Sequence, residues 1–431
     1  MPKTFKTITF GCKVNTYESE SIKENLIRQG YIYTQEDKAD IYIVNTCAVT
    51  QVAEKKAMEK LRSIQRNYPD SEIVVMGCFS QLHPEKIQTI ENVKILAGVD
   101  KRNDIPELIK DSKKENIVAS NTRKLEYEDS SISSFNSEVR AFVKIQDGCD
   151  NFCSYCVIPL TRGKSRSRKK ESILQEIRNL ALNGYKEIVL TGIDMGSYNN
   201  GSDYKITDLV EDILNLDIKT FRLRISSLET SQVTDRLIDI MATNPRLVPH
   251  MHLPLQSGAE RICRLMFRKY DLDGFYNLTC KLREKVKNIA LSTDVIVGFP
   301  SETEEDFLES YNFIKKVDFM RLHVFPYSRR PLTKAYYMKD QVDRGISKAR
   351  VRKLNELSDE LASKYYNSFI NQELEVLIEE KLEQTDKGTI YRGYTQNYID
   401  VKVISKEDIY NHILKIKIED KPILDKYIII Q

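Results

Sequence analysis

Short apolar runs and amphipathic stretches alternate along most of this chain. Over roughly Lys6 to Lys124 the runs KTITFGC, IYIVNTC and EIVVMGC read as strands. The stretches from about Tyr17 to Gln29 and from Val52 to Asn67 carry apolar residues at helical spacing. This alternation predicts a doubly wound α/β domain with a parallel sheet, because a helical crossover returns the chain in the same direction. Each of the three runs finishes in a cysteine, Cys12, Cys47 or Cys78. In a parallel sheet all three emerge at one carboxyl edge, where open α/β sheets bind ligands, and would form a three-thiol site assembled in space.

The pattern then breaks. EYEDSSISSFNSEV is polar and serine-rich, which marks a linker over 126–139. From Arg140 to about Tyr327, six further runs alternate with helical stretches: AFVKI, EIVLTG, FRLRISS, HMHLPL, ALSTDVIVGF and FMRLHVFPY. Repeated β-α units of this kind predict a partial (β/α)6 barrel, whose function lies at the loops that follow the strands. A charged helical stretch from about Ser347 to Ile370 comes next. The runs LEVLIEEKL, TIYRGYT, IDVKVI, HILKIKI and KYIIIQ are short and β-branched, and predict a small β-barrel of the oligonucleotide-binding sort. The expected divisions are 1–125, a linker 126–139, 140–370 and 371–431.

Composition adds bounds. At 431 residues, 41% hydrophobic and 30% charged, the chain is an ordinary globular protein of two or three domains. A net charge of +3 says little about partners, so any nucleic-acid signal must be local. One such cluster is TRGKSRSRKK, in which Arg162, Lys164, Arg166, Arg168, Lys169 and Lys170 are interrupted by no acid. Such a run is either plain solvated surface or a phosphate contact.

Its position beside a second cysteine group favours phosphate contact. Cys149, Cys153 and Cys156, in GCDNFCSYCVIP, put three thiols on one loop directly after AFVKI. A zinc site wants four ligands, and a cubane iron–sulfur cluster has four iron corners. The triplet is therefore a zinc knuckle with a distant fourth ligand, a disulfide pair with one spare thiol, or a cubane whose open iron can chelate a small molecule. The five histidines, His83, His250, His252, His323 and His412, all lie far from it in sequence. The N-terminus MPKTFKTITFGCK lacks the apolar core of a signal peptide, and no stretch approaches a membrane span. A reducing, cytoplasmic compartment is therefore expected, where clustered cysteines are more often metal ligands than disulfides. Cys263 and Cys280 have no partners at ligand spacing.

Other candidates sit at strand ends. Thr191 and Gly192 end the second barrel strand; Ser226, Ser227 and Glu229 end the third; Gln256 follows the fourth, and Gly298 closes the fifth. Around a nucleoside-like ligand with an amino-acid tail, Gly192 would allow close backbone approach and Tyr155 would cover an adenine edge. Glu229 and Gln256 would hydrogen-bond its polar groups. Each is equally an ordinary rim residue. Near the C-terminus, Tyr391, Arg392, Tyr394, Thr395, Asn397 and Tyr398 interleave aromatics with a cation, which suits single-stranded RNA or a small barrel core.

Nearly the whole chain resembles one family, the radical S-adenosylmethionine (SAM) methylthiotransferases. TFGCKVNTYESE, VNTCAVT and VVMGCFSQ resemble its N-terminal cysteine motifs, and DGCDNFCSYCVIPLTRGKSRSR resembles its radical SAM signature. LTGIDMGSY, RISSLE, HLPLQSG, DVIVGFPSETEEDF and HVFPYSRRP resemble its barrel motifs, and the stretch with YRGYTQNYIDVKV is similar to its TRAM domain. Lys13 and Val14 after Cys12 are most similar to the branch that modifies N6-threonylcarbamoyladenosine beside the tRNA anticodon. The isopentenyl-adenosine branch usually has glutamine and methionine there, and the ribosomal-protein branch proline and lysine. Asp194, Ser301, Leu332 and Lys334 depart from the usual pattern, and none removes a cysteine.

The resemblance implies two [4Fe-4S] clusters. Cys149, Cys153 and Cys156 would hold the one that reduces SAM, with Tyr155, Thr191, Gly192, Ser227, Glu229, Gln256 and Gly298 around the cofactor. Cys12, Cys47 and Cys78 would hold an auxiliary cluster carrying sulfide or polysulfide. The implied substrate is a tRNA anticodon stem-loop touched by Arg162, Lys164, Arg166, Arg168, Arg392 and Tyr398, with an electron donor such as flavodoxin or ferredoxin. The rival readings are the same chemistry on isopentenyl-adenosine tRNA or on a ribosomal-protein aspartate, and a non-catalytic iron–sulfur RNA-binding or electron-transfer protein.

Overall fold

A computed structural model describes residues 2–111, 114–134, 139–199, 203–419 and the backbone of 428–429. The chain begins with β1 (Thr4–Thr9), α1 (Lys13–Arg28), β2 (Ile32–Tyr33), β3 (Ile41–Thr46), α2 (Gln51–Asn67) and β4 (Glu72–Gly77). There follow α3 (Cys78–Leu82), α4 (Pro84–Ile87), β5 (Val93–Leu96), α5 (Ile105–Lys110) and β6 (Glu115–Asn116). The six strands form one parallel sheet in the order β2-β1-β3-β4-β5-β6. Every residue of β3 is buried, because helices cover both faces, and this explains its continuous apolar run. Alternate residues serve opposite cores: Tyr42 and Val44 pack with Leu61 of α2, while Ile41 and Ile43 pack with Ile22 and Leu26 of α1.

Residues 125–134 are more than a polar spacer. They lie along the seam between this unit and the next. Tyr127 Oη donates to the Lys144 carbonyl at 2.9 Å, and the N–H of Ile132 donates to Glu176 at 2.7 Å. The Ile132 side chain enters the neighbouring core.

The second unit opens with β7 (Arg140–Lys144) and a small antiparallel pair, β8 (Gln146–Asp147) with β9 (Arg166–Ser167), that brackets the cysteine loop and α6 (Ile158–Thr161). Then come α7 (Lys170–Leu182), β10 (Glu187–Thr191), α8 (Ile206–Leu214), β11 (Arg222–Ile225), α9 (Asp235–Thr243) and β12 (His250–His252). The unit continues with α10 (Glu260–Leu265), α11 (Leu272–Lys285), β13 (Ala290–Val297), α12 (Glu304–Val317) and β14 (Arg321–Pro326). Two parallel sheets, β7-β10-β11 and β12-β13-β14, join where Leu223 pairs with Leu247. Six strands thus form an arc, a half-barrel open between β7 and β14.

The N-terminal unit covers that opening from both sides. Tyr17 and Glu18 of α1 bond Glu176 and Lys144 on the β7 side. On the β14 side, Gln51 of α2 donates to the Arg329 carbonyl at 2.7 Å, and Glu54 pairs with Arg330.

After α13 (Arg344–Asn367) the chain forms β15 (Glu373–Thr385), β16 (Gly388–Thr395), β17 (Asp400–Ser405), β18 (Ile413–Lys417) and β19 (Ile428–Ile429). Their order is β18-β15-β16-β17-β19, antiparallel except for β17 with β19. Two register shifts between β15 and β16 bend the sheet into a half-barrel around Val376, Ile378, Tyr391 and Val403. Of the predicted run KYIIIQ, only 428–429 lie among the described residues. No helix among the described residues is long and apolar enough to cross a membrane.

Candidate active site

The half-barrel encloses a cavity of about 560 Å³. Its walls follow from strand geometry, since side chains two apart on a strand face the same way. His250 and His252 of β12, Ser292 and Asp294 of β13, and Arg321 and His323 of β14 line one wall, with His252 in register with Ser292 and Ser292 with Arg321. Thr191, Gly192, Ser226 and Ser227, at strand carboxyl ends, line the rim. Gly11, Cys12, Lys13 and Val14 contribute from the N-terminal unit, and Tyr394 and Tyr398 from the C-terminal one. Three parts of the chain therefore meet at this cavity.

Its floor is charged. Glu187, fully buried at the start of β10, takes Arg222 at 2.5 Å and Arg224 at 2.6 Å. Burial pushes the Glu187 carboxyl up, but Arg224 and Arg222 outweigh it and hold the group far below the usual carboxylate range. Arg140 reaches Glu379 of β15 at 2.9 Å and donates to Tyr398 Oη at 2.7 Å, while the Arg224 guanidinium lies 3.9 Å from the Tyr398 ring centre. Burial, reinforced by Arg140 and Arg224, brings Lys13 down to about 8. These lumen residues were missed in the sequence, although FRLRISS, HMHLPL and FMRLHVFPY carry the signal: polar residues at every second position of strands otherwise destined for burial.

The cysteine loop after β8 is held by backbone and arginine donors. The Asn151 N–H points at Cys149 Sγ (3.4 Å), and Arg268 Nη1 at Cys153 Sγ (3.5 Å). Burial and the neighbouring Cys153 push the Cys156 thiol up to about 12. In the N-terminal unit the three strand-end cysteines do converge. A Cβ on Gly11, whose φ is +115°, would stand 3.0 Å from the Cys47 Cβ, so only glycine lets the Cys12 loop approach so closely. Val49 N–H points at Cys47 Sγ (3.4 Å), and Arg162 Nε approaches Cys78 Sγ at 3.2 Å. Burial pushes the Cys78 thiol up to about 12 against the pull of Arg162. The N–H donors at Cys47, Cys78, Cys149 and Cys153 suit anionic thiolate ligands of a cluster, while the Cys149 thiol also faces Asp194 Oδ2 at 3.8 Å and the Cys12 thiol Asn15 Oδ1 at 3.7 Å. Among the described residues, no three His, Cys, Asp or Glu side chains close on one metal ion. A cubane does not require that, because its irons occupy separate corners.

The remaining candidates fall in different places. Glu229 stands apart from the main cavity, in a small pocket with Asn151, Cys153 and Arg268, and pairs with Arg268. Tyr155 packs beside Phe299 and Ala259. Gln256 adopts φ +63° and bridges to Val295, and Gly298 is shaped by α13, since a Cβ there would meet Ser347 Oγ at 2.1 Å.

The basic run is corrected most. Arg162 is fully buried, bonded to Glu18 at 2.9 Å and Asp147 at 3.0 Å. Arg168 is fully buried against Asp129 at 2.6 Å and Glu176. Arg166 is largely covered and pairs with Asp147 at 3.2 Å. Arg162 and Arg168 fasten the domain seam and Arg166 braces β9 within its own unit, so all three are engaged inside the protein, while Lys164 stays exposed. Tyr398, half-buried, bonds Arg140 at the barrel floor and also lines the adjoining crevice, while Thr395, Asn397 and Tyr391 are core residues. Arg392 is ion-paired with Asp400 at 2.6 Å.

Comparison with known proteins agrees with this architecture. Residues 4–98 match the uncharacterized protein family UPF0004, and residues 143–314 match the radical SAM superfamily. The chain is 40% identical to the threonylcarbamoyladenosine tRNA methylthiotransferase MtaB of Bacillus subtilis, over 95% of this chain and 92% of that protein. It is 35% identical to the protein of the same name from Thermotoga maritima, over 96% and 94%. A tRNA-2-methylthio-N(6)-dimethylallyladenosine synthase of Staphylococcus haemolyticus is 33% identical, over 97% and 83%. Among solved structures, the radical SAM methyltransferase TsrM from Kitasatospora setae shares the fold at 14% identity, with a TM-score of 0.58 over 78% of this chain and 77% of that one. With relatives this similar over almost its full length, the chain belongs to the radical SAM tRNA methylthiotransferases.

Proposed function

We propose that this enzyme adds a methylthio group to C2 of N6-threonylcarbamoyladenosine next to the tRNA anticodon, using two [4Fe-4S] clusters. Cys149, Cys153 and Cys156 hold the cluster that binds SAM. Cys12, Cys47 and Cys78 hold the auxiliary cluster with its sulfide or polysulfide. The observation that carries this reading is the shared cavity: the Cys12 loop forms one wall, and the rim residues Thr191, Gly192 and Ser227 form another. Relatives named for this nucleoside, and Lys13-Val14 after Cys12, support the choice of substrate.

When bound, SAM and its reduced cluster supply a carbon radical able to take hydrogen from an aromatic C–H, and the auxiliary cluster supplies sulfur. The chain's own residues position and enclose. Thr191 and Ser227 hydroxyls and the Gly192 backbone offer hydrogen bonds to a nucleoside at the rim, and the Glu229–Arg268 pair presents both charges beside Cys153 for an amino-acid tail. The cavity is of a size to take one nucleoside, so the target base must leave its stack and enter alone. A crevice of about 790 Å³ lined by Arg321, Tyr365, Arg392 and Lys402 adjoins the cavity and suits the flanking RNA. Lys164 extends the basic surface. On this reading 1–125 form the methylthiotransferase domain, 126–139 the linker, 140–370 the radical SAM domain and 371–431 the TRAM domain, in a cytoplasmic enzyme served by a flavodoxin or ferredoxin.

The test is anaerobic incubation of reconstituted protein with SAM, reductant, sulfide and tRNA bearing N6-threonylcarbamoyladenosine, followed by nucleoside mass spectrometry. A methylthio mass gain on that nucleoside is expected. Gain only on isopentenyl-adenosine tRNA or on a ribosomal protein overturns the substrate, and gain on none overturns the reaction.

A further inference from the structure

The lower half of the cavity carries groups that chemistry at C2 does not need. Lys13 lines it beside Cys12, and Arg321 lines it at the start of β14. Neither cation, Lys13 half-buried and Arg321 exposed, has a carboxylate or carbonyl partner for its side chain among the described residues. Asp294, the acid among the lining residues, stands 3.4 Å from His252 and is in register with His323. Below them Arg140, Arg222 and Arg224 share the carboxylates of Glu187 and Glu379, so positive charge predominates around Lys13. His250, buried on the same wall, bonds Ser292 through Nε2 at 3.2 Å and leaves Nδ1 without a partner. Buried polar atoms left unmatched in this way are costly unless a ligand completes them.

We propose that this end of the cavity binds the N6 substituent of the target nucleoside, with Lys13 and Arg321 receiving its threonyl carboxylate and His250 its hydroxyl or carbamoyl group. The inference rests on the function proposed above and assigns the residues that read the substituent. In a purine, C2 and C6 flank N1, so a base that offers C2 to the Cys12 loop extends its N6 substituent further along the same cavity. An anion there pairs with two cations that have no other partner. An isopentenyl group would leave half-buried Lys13 and the buried His250 Nδ1 unmatched, and a site built to bond a polar group rejects an analogue that lacks it.

The experiment uses the reconstituted holoenzyme and anticodon stem-loop RNAs bearing N6-threonylcarbamoyladenosine or its carboxamide, in which the carboxylate is replaced by a neutral amide. Wild-type protein is expected to bind the carboxylate RNA about tenfold or more tightly than the carboxamide RNA. Lys13→Met should weaken the carboxylate RNA by roughly ten- to a hundredfold, as loss of a charged hydrogen bond does, and leave the carboxamide RNA nearly unchanged; Arg321→Met, whose side chain also lines the crevice for the flanking RNA, should weaken the carboxylate RNA about tenfold more than the carboxamide RNA. Iron content and electron paramagnetic resonance check that Lys13→Met still loads its cluster. Arg321→Met, on a strand remote in sequence from all six cysteines, carries the test if it does not. Equal binding of the two RNAs by wild type, or equal weakening of both by the variants, overturns the subsite. If the threonylcarbamoyl RNA is methylthiolated without this charge discrimination, the subsite alone fails. If it is not methylthiolated at all, the proposed function fails and takes the subsite with it.

Discussion

Arg162 links the two cysteine groups. It caps α6, just after the cysteine loop, yet its guanidinium reaches Cys78 at 3.2 Å, Glu18 at 2.9 Å and Asp147 at 3.0 Å, all under full burial. Removing one partner from a buried ion network leaves the others uncompensated, typically at about 3–5 kcal/mol. Arg162→Met should therefore lower the melting temperature of the apoprotein strongly, and Arg162→Lys less, as calorimetry would show. In reconstituted Arg162→Lys the cation is retained and the N–H donation to Cys78 is altered, so the auxiliary cluster's potential should shift with little loss of iron. An unchanged potential would mean that the contact is structural alone. Glu379 makes a second prediction. Burial pushes its carboxyl from 4.5 up to about 7, against the opposing effect of Arg140. The folded chain thus holds this proton more tightly than the unfolded one, and stability falls as pH rises through that window, on the order of 1–3 kcal/mol. Glu379→Gln should abolish this loss, so the melting temperature of wild type should drop relative to the variant between pH 5 and 8. Parallel curves would contradict it.

At the scale of elements, glycine and one apolar residue hold parts together that the sequence pattern treats as loose. Gly298 ends β13 at φ +71°, where an added Cβ would meet Ser347 of α13 at 2.1 Å. Gly298→Ala should destabilise by about 1–3 kcal/mol in chemical unfolding, through strain and overpacking together. Ser347→Gly in the same chain should relieve only the overpacking. The strap of residues 125–134 hangs on Ile132, and Ile132→Ala should cost about 2–4 kcal/mol and speed proteolysis there. The strand order of the half-barrel and the three cysteine-ended strands were legible because buried parallel strands leave continuous apolar runs bounded by helices. β2, β5 and β6 were not, being too short for periodicity to register. Nor does a sequence separate a solvated arginine from one facing Glu18 across a domain seam, which is why TRGKSRSRKK read as an RNA surface. The lumen histidines and arginines were legible in principle, as polar residues at period two within strands of the half-barrel.

Across the whole molecule, the half-barrel is incomplete by itself. Its open side is covered by α1 and α2, and Tyr394 and Tyr398 line its lumen, so all three parts of the chain wall the chamber. The N-terminal unit brings the Cys12 loop to that chamber, while Cys153 of the loop after β8 lines the separate small pocket with Glu229 and Arg268. The central claim is that the two triads do separate jobs on one base. It is tested most directly by a variant with Cys12, Cys47 and Cys78 all replaced by alanine, compared with wild type on threonylcarbamoyladenosine tRNA. Both 5′-deoxyadenosine and the methylthio nucleoside would be quantified by mass spectrometry. The account predicts that wild type yields both products and that the variant still cleaves SAM to 5′-deoxyadenosine while forming no methylthio nucleoside. Methylthio product from the variant would contradict it.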